Sequence, residues 1–170
     1  VYPFNNGSLA LKQMIKNLSG ANYVVLNGFR DDFEEAIIGE DIYEYLKTLW
    51  GNLVVQEKPL YIFIDEMMTL DKESLGLIEK ILSNGRHYNI FIVGSVVRPA
   101  KKTLDMKDLF NVGISFKQRD DSNYRLLFNT GIDVMLRPRE FAMISDDLYY
   151  GETYLMPEFE KNKSLDSSVI

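Results

Sequence analysis

Apolar side chains along the first half of the chain recur at two alternating spacings. Short continuous apolar runs, typical of strands that are buried on both faces, cover residues 23–26, 60–64 and 90–93. Apolar residues three or four positions apart predict amphipathic helices over residues 11–18, 42–49 and 75–82. Strands that alternate with helices are typical of a mostly parallel sheet flanked by helices. The pattern therefore predicts an α/β fold.

The rhythm changes in the C-terminal third of the chain. Residues 113–116 still read as a strand and residues 121–128 as a helix. Beyond them, strand-like segments at 140–145 and 149–155 are separated by only three residues. A connection this short joins antiparallel strands, so these segments predict a β-hairpin.

The strand at residues 60–64 runs directly into two adjacent carboxylates, Asp65 and Glu66. ATPases with a phosphate-binding P-loop use such a pair to hold Mg²⁺ and to position an attacking water. Open α/β sheets bind ligands at the carboxyl ends of their strands, where these two residues stand. We therefore predict Asp65 as a Mg²⁺ ligand and Glu66 as the catalytic residue. The alternative is that two acids simply begin a surface loop.

An ATP site also needs a loop of the form Gly-x-x-x-x-Gly-Lys-Ser/Thr between a strand and a helix. The region that fits best lies at residues 2–9, where Gly7 keeps the second glycine. In this frame Ser8 stands at the lysine position and Leu9 at the position of the metal-binding hydroxyl. The missing lysine removes a charge at the phosphates, and leucine cannot bind Mg²⁺. We predict that ATP and Mg²⁺ bind weakly or not at all, through a degenerate phosphate loop made of Asn5, Asn6, Gly7 and Ser8.

Other interpretations of this loop remain open. Ser8 could serve as a shifted hydroxyl ligand, with backbone N–H groups near Gly7 holding an anion and a lysine supplied by another chain. Alternatively, the Asn-Gly-Ser turn is kept only to cap the following helix.

Further motifs follow the two carboxylates in a fixed order. Asn84-Gly85-Arg86 ends a helix, the next strand closes on Gly94-Ser95, and Arg98-Pro99 comes after it. With the degenerate loop and Asp65-Glu66, this order resembles the FtsK/SpoIIIE family of RecA-like P-loop ATPases. The resemblance covers nearly the whole chain, although the family's usual Thr-Gln is absent beside Ser95. It implies a cofactor-binding role for Ser95.

The same resemblance implies a fold and a domain arrangement. It implies a three-layer αβα RecA-like domain over residues 1–160, with a mostly parallel central sheet and a C-terminal β-hairpin. Residues 161–170, which are polar and rich in serine, are expected to form a flexible tail.

Within this family, the compact length, acidic charge and degenerate loop look most like the C-terminal ATPase domain of an EssC-class type VIIb secretion coupling protein. This implies a domain on the cytoplasmic side of the cell membrane that does not hydrolyse ATP by itself. Its expected partners are other ATPase domains of the same chain, arranged in a hexameric ring, and secreted protein substrates. The alternative is an active FtsK-type motor domain that moves protein or DNA.

Composition narrows these alternatives. The net charge is -6 at pH 7, which disfavours a broad nucleic-acid surface because phosphate binding needs clustered Lys and Arg. The chain has no cysteine and one histidine, so disulfides and thiolate metal sites are excluded. No apolar run reaches the roughly 20 residues that span a bilayer. Contact with a membrane is therefore expected only through segments upstream of Val1.

Two further groups of residues have competing interpretations. Tyr149, Tyr150 and Tyr154 concentrate aromatic rings at the predicted hairpin, which is consistent with a partner surface or with packing into the core.

Arg98, Arg137 and Arg139 could reach a nucleotide of a neighbouring subunit, but exposed charge that favours solubility is the preferred explanation. His87 is interpreted as a polar residue at a helix end.

Overall fold

A computed structural model describes residues 6–28, 33, 35–97 and 106–153 of this protein. The described part contains four α-helices and six β-strands. In chain order these are α1 (Asn6–Asn17), β1 (Asn22–Leu26), α2 (Glu40–Gly51), β2 (Leu60–Ile64), α3 (Lys72–Asn84), β3 (Ile90–Gly94), β4 (Gly113–Phe116), α4 (Ser122–Phe128), β5 (Glu140–Ile144) and β6 (Leu148–Glu152). Short 3-10 helices cover Met67–Thr69 and Gly85–Tyr88.

The first three strands form a parallel sheet in the order β1-β2-β3. Their last residues are paired in one row, with Leu26 opposite Ile64 and Ile64 opposite Gly94. The carboxyl ends of the strands are therefore level. The residues that follow, Asn27, Asp65 and Ser95, leave the sheet side by side.

Successive side chains in a strand point to opposite faces, so the apolar strands of this sheet present apolar side chains on both faces. Helices cover both of them. Leu26, Ile62 and Ile64 face one side, where they pack with buried residues of α2 and α3. Val25 and Phe63 face the other side, where they pack with Leu11 of α1. These contacts confirm the predicted three-layer αβα arrangement.

The remaining strands form a second sheet, antiparallel, in the order β4-β5-β6. Strands β5 and β6 are joined by residues 145–147, so the predicted hairpin is confirmed. Helix α4 packs on one face of this sheet through Tyr124 and Phe128, which are in a cluster with Ala142. The described strands thus form two sheets of three, a division that the spacing along the sequence does not predict.

Among the described residues, no helix has both the length and the apolar character that crossing a membrane requires. The predicted tail, residues 161–170, lies outside the described residues.

Candidate functional site at the carboxyl end of the parallel sheet

The candidate site is centred on the carboxylate of Asp65, which has no exposed surface. Strand β2 carries it to the edge of the sheet, and the first turn of α1 approaches from one face. The hydroxyl of Ser8 lies 2.7 Å from Oδ2 and 2.9 Å from Oδ1 of Asp65. Ser8 is itself 5% exposed. A contact across 57 positions of the sequence therefore joins the start of α1 to the end of β2.

A second serine approaches the same carboxylate from β3. The hydroxyl of Ser95 donates to Oδ1 of Asp65 at 2.6 Å and accepts the backbone N–H of Glu66 at 2.9 Å. A buried carboxylate is stable only when hydrogen bonds replace its lost hydration. The two serines provide such bonds, and the described residues contain no buried side-chain polar atom without a partner.

Glu66 follows in a left-handed conformation, with φ 47° and ψ 51°. A residue other than glycine adopts this conformation at a cost of about 1 kcal/mol or more. The backbone around it is held on two sides, because Met67 N–H donates to Ser95 O and Thr69 N–H donates to Glu66 O, each at 2.9 Å. The half-buried Glu66 is therefore displayed on a fixed turn beside Asp65.

The geometry corrects one assignment made from the sequence. Leu9 was expected at the position of the metal-binding hydroxyl and Ser8 at the position of the lysine. The structure instead places the Ser8 hydroxyl against Asp65, as the shifted alternative requires. The assignment of the hydroxyl therefore moves from Leu9 to Ser8. The helical geometry of α1, rather than a count of residues from a glycine, determines which side chain contacts the carboxylate. Gly7 then stands where a lysine would precede the hydroxyl.

A cavity of about 520 Å³ adjoins this site. It lies between the end of β3 and strand β4, and its wall includes Gly7, Ser95, Lys107 and Gln118. Cavities of a few hundred Å³ are typical of small-molecule sites. The start of α1 and the end of β3 therefore border open space.

The oxygen donors at this site are of the kind that would suit Mg²⁺ if a nucleotide were bound. Mg²⁺ prefers oxygen ligands and usually takes one or two carboxylates together with phosphates and waters. Asp65 offers the carboxylate and Ser8 the hydroxyl, at a helix N-terminus whose N–H groups favour phosphate. No group of three or more His, Cys, Asp or Glu in the described part of the chain could hold a metal ion.

The fold was compared with those of known proteins. The sequence matches no protein-family model and no curated protein. Two structures of the genome packaging NTPase B204 from Sulfolobus turreted icosahedral virus 2 are similar, one in complex with ATP-gammaS and one with AMPPCP. The first has a TM-score of 0.62 over 90% of this chain and 94% of that chain, at 12% identity. The second has a TM-score of 0.59 over 88% and 94%, also at 12% identity.

The chain has a P-loop NTPase fold. The α/β class and the RecA-like architecture predicted from the sequence are confirmed. The likeness extends to the fold alone, because the sequence identity is low.

In this P-loop NTPase fold, Asn27 is a site residue that sequence reasoning missed. Its side chain donates to Asp65 O at 2.9 Å and to Thr69 Oγ1 at 2.7 Å. A signal existed, since a polar residue directly after a buried parallel strand lies at the ligand-binding edge. Which neighbour it meets depends on the register of the strands, which the sequence pattern does not reveal.

The predicted partner surface is described in part. Tyr149 and Tyr150 of β6 are 44% and 46% exposed, so the alternative of core packing is wrong for both rings. The Tyr149 hydroxyl donates to Asp146 at 3.1 Å, and this bond raises the pKa of Tyr149 above its ordinary value. Binding of a partner by these tyrosines stays a prediction. Tyr154 lies outside the described residues.

The remaining candidates lie away from Asp65. Arg139 forms an ion pair with Glu152 at 2.8 Å. The exposed guanidinium of Arg137 lies 3.9 Å from the Glu140 carboxylate, which also accepts the backbone N–H of Arg137 at 2.6 Å. His87 is exposed in a 3-10 helix before β3, at the opposite end of the parallel sheet.

The structure does not describe the side chains of three further candidates. Asn5 and Arg98 lie outside the described residues, and nothing is described of the side chain of Asn6.

Proposed function

We propose that this chain is a nucleotide-binding motor domain that holds MgATP weakly and hydrolyses it slowly or not at all. The observation that carries the proposal is the buried contact of Ser8 with Asp65 at the start of α1, beside a glycine where lysine is usual. It supplies oxygen donors for a metal ion without supplying a positive charge for the phosphates.

Charge explains the expected weakness. A lysine at a P-loop contributes a charge-assisted hydrogen bond to the phosphates, and such bonds contribute about 1.5–3 kcal/mol. The first lysine of this chain is Lys12, one turn beyond Ser8, and its Nζ lies 5.7 Å from the centre of the Phe33 ring. Helix N-terminal N–H groups alone bind anions less strongly than they do with a lysine beside them.

The wider setting of the proposal rests on the order of the sequence motifs. By its resemblance to the EssC class, the chain is proposed as the C-terminal domain of a membrane-anchored type VII secretion motor. It would lie on the cytoplasmic side of the membrane, next to other ATPase domains of the same protein in a hexameric ring. There it would engage or regulate secreted protein substrates, with hydrolysis carried out by its neighbours.

Calorimetric titration with MgATP, combined with a turnover assay on the purified chain, tests the proposal. We expect weak binding and little or no hydrolysis. Submicromolar affinity, together with hydrolysis that Glu66→Gln abolishes, would overturn it in favour of an active ATPase.

Restoring the missing charge gives a sharper second test. Gly7→Lys places a lysine directly before Ser8 and is expected to tighten MgATP about tenfold or more, because about 1.4 kcal/mol corresponds to tenfold. Gly51→Lys is the matched control, since Gly51 ends α2 and a Cβ atom added there meets no atom within 4 Å. An unchanged affinity in Gly7→Lys would show that the missing lysine is not what limits binding.

A DNA-translocating motor is a second candidate, and the similarity to a genome packaging NTPase favours it. The net charge of -6 opposes it, because each phosphate contact requires a basic group. A DNA shift assay at increasing salt decides between the two. Binding that weakens steeply with salt supports the DNA motor, and absence of a shift at low salt excludes it.

A further inference from the structure

Asn27 occupies a place in this site that its sequence position does not reveal. It is the first residue after β1, and its backbone is fixed because its N–H donates to Ile37 O at 2.8 Å. With φ 61°, it adopts a left-handed conformation that asparagine tolerates better than most residues. The backbone therefore holds the amide side chain in one place beside the end of β2.

The amide nitrogen of Asn27 contacts three oxygen atoms of the turn after β2. Its Nδ2 lies 2.9 Å from Asp65 O, 2.7 Å from Thr69 Oγ1 and 3.4 Å from Glu66 O. Two of these atoms are carbonyl oxygens, so the nitrogen must face them. The Thr69 hydroxyl in turn donates to Glu66 O at 2.9 Å. Asn27 and Thr69 together hold the carbonyl side of the Glu66 residue.

Ser95 holds the other side, since its hydroxyl accepts the Glu66 N–H. The Glu66 turn is thus held by the residues that follow β1 and β3, the two strands on either side of β2. A left-handed residue other than glycine persists only when its surroundings determine its conformation strongly. The Asn27 amide supplies the part of this restraint that comes from β1.

We propose that Asn27 is a positioning residue that sets the conformation of the Glu66 turn, and through it the direction of the Glu66 carboxylate toward a bound nucleotide. The proposal rests on the function proposed above, because it assigns Glu66 a place in nucleotide chemistry. Asn27 does not touch the reacting atoms. Its contribution is geometric, and displacement of a catalytic group by about 1 Å can cost on the order of 10²-fold in rate.

The test compares Asn27→Asp with Asn89→Asp. Aspartate has the shape of asparagine but cannot donate to a carbonyl oxygen. Asn89 is a close match, because it is also left-handed, with φ 61°, and its side chain donates to Gln56 O at 3.2 Å at the opposite end of the sheet. Thr69→Val removes the second contact without adding charge, and Thr69→Ser restores the hydroxyl.

Two measurements are made on each variant in the Gly7→Lys parent. Hydrogen exchange of the backbone amide of residue 69, followed by NMR, should become about tenfold faster in Asn27→Asp and Thr69→Val. It should stay unchanged in Asn89→Asp and Thr69→Ser. Turnover of MgATP should fall about tenfold or more in the first two variants at an unchanged KM, which a general loss of folding would not produce.

The outcomes separate this proposal from the proposed function. Unchanged exchange at Thr69 overturns the role of Asn27, whatever the turnover. Faster exchange with unchanged turnover overturns it as well, because the turn then does not control Glu66. If the Gly7→Lys parent shows no turnover, restoring the lysine has failed to restore hydrolysis, and exchange alone decides the role of Asn27.

Discussion

The carboxylates of Asp65 and Asp146 both accept hydroxyl hydrogen bonds, in opposite settings. Asp65 is fully buried and accepts hydrogen bonds from the hydroxyls of Ser8 and Ser95, which lie 57 and 30 positions away in the sequence. Asp146 accepts hydrogen bonds from the hydroxyls of Ser145 at 2.7 Å and Tyr149 at 3.1 Å. These two residues lie within three positions of Asp146 and are exposed, one in the hairpin turn and one in β6.

The difference shows what the fold contributes. The cluster at Asp146 can form wherever the hairpin turn forms, and water can replace each of its bonds. The cluster at Asp65 exists only when α1, β2 and β3 are assembled, and water cannot replace its bonds. The fold thus maintains a buried, hydrogen-bonded carboxyl group at the carboxyl edge of the sheet, and the hairpin cluster contributes less to the stability of the fold.

The largest difference in stability is expected when both serines that bond to Asp65 are removed. The double variant Ser8→Ala/Ser95→Ala leaves the Asp65 carboxyl group buried without these donors and is expected to lower the free energy of unfolding by about 2–6 kcal/mol, since each lost bond leaves a buried acceptor unsatisfied at about 1–3 kcal/mol. Urea denaturation measures the loss. Ser145→Ala is the control and should leave the midpoint unchanged, since solvent replaces its bond. Equal losses in both variants would contradict the distinction between the clusters.

A third pair of Asp and Ser lies between these extremes. Asp71 caps α3 by accepting Ser74 N–H at 2.8 Å, and its carboxylate is exposed although Ser74 is buried. Asp71→Ala should cost about 1 kcal/mol, the usual contribution of a helix cap. Urea denaturation against Asp71→Ser, which keeps a capping oxygen, measures it. A loss as large as that of the double serine variant would place a local pair on a level with the buried one.

The same cap predicts a direction of pH dependence. The hydrogen bonds from Ser74 lower the pKa of Asp71 below its ordinary value. A lowered pKa means that the folded state favours the charged form. The stabilisation is therefore fully present above the ordinary carboxyl pKa and is lost as the pH falls through the lowered one. Urea denaturation at several acidic pH values should show the free energies of unfolding of the wild type and Asp71→Ala converging as the pH falls. A difference that stays constant with pH would contradict the prediction.

The smallest effect is expected at the hairpin. The hydrogen bond from the Ser145 hydroxyl lowers the pKa of Asp146 most, and the one from Tyr149 lowers it further. Ser145→Ala should move that pKa back toward its ordinary value, as seen by NMR titration of the Asp146 carboxyl. An unchanged pKa of Asp146 would contradict the prediction.

The sequence predicts the elements of this protein well because burial imposes a period on side chains. Spacing of apolar residues located α1, α3 and β2, and the acids after β2 located Asp65. The partners of Asp65 were harder to predict. Counting from a glycine placed Leu9 where the structure places Ser8, because a helical turn selects the contacting residue. Asn27 was missed because its neighbours follow from strand register, which no local pattern specifies.

The level ends of β1, β2 and β3 also constrain how this chain can change in length during evolution. An insertion of one residue within residues 60–64 would reverse the faces of the residues after it and bring Ile64 to the place of Asp65 in the row. The same insertion in the loop at residues 52–59 leaves that row intact. Length variation in this protein should therefore be confined to its loops, and a scan of single-residue insertions scored for folding would show tolerated positions ending where the strand begins.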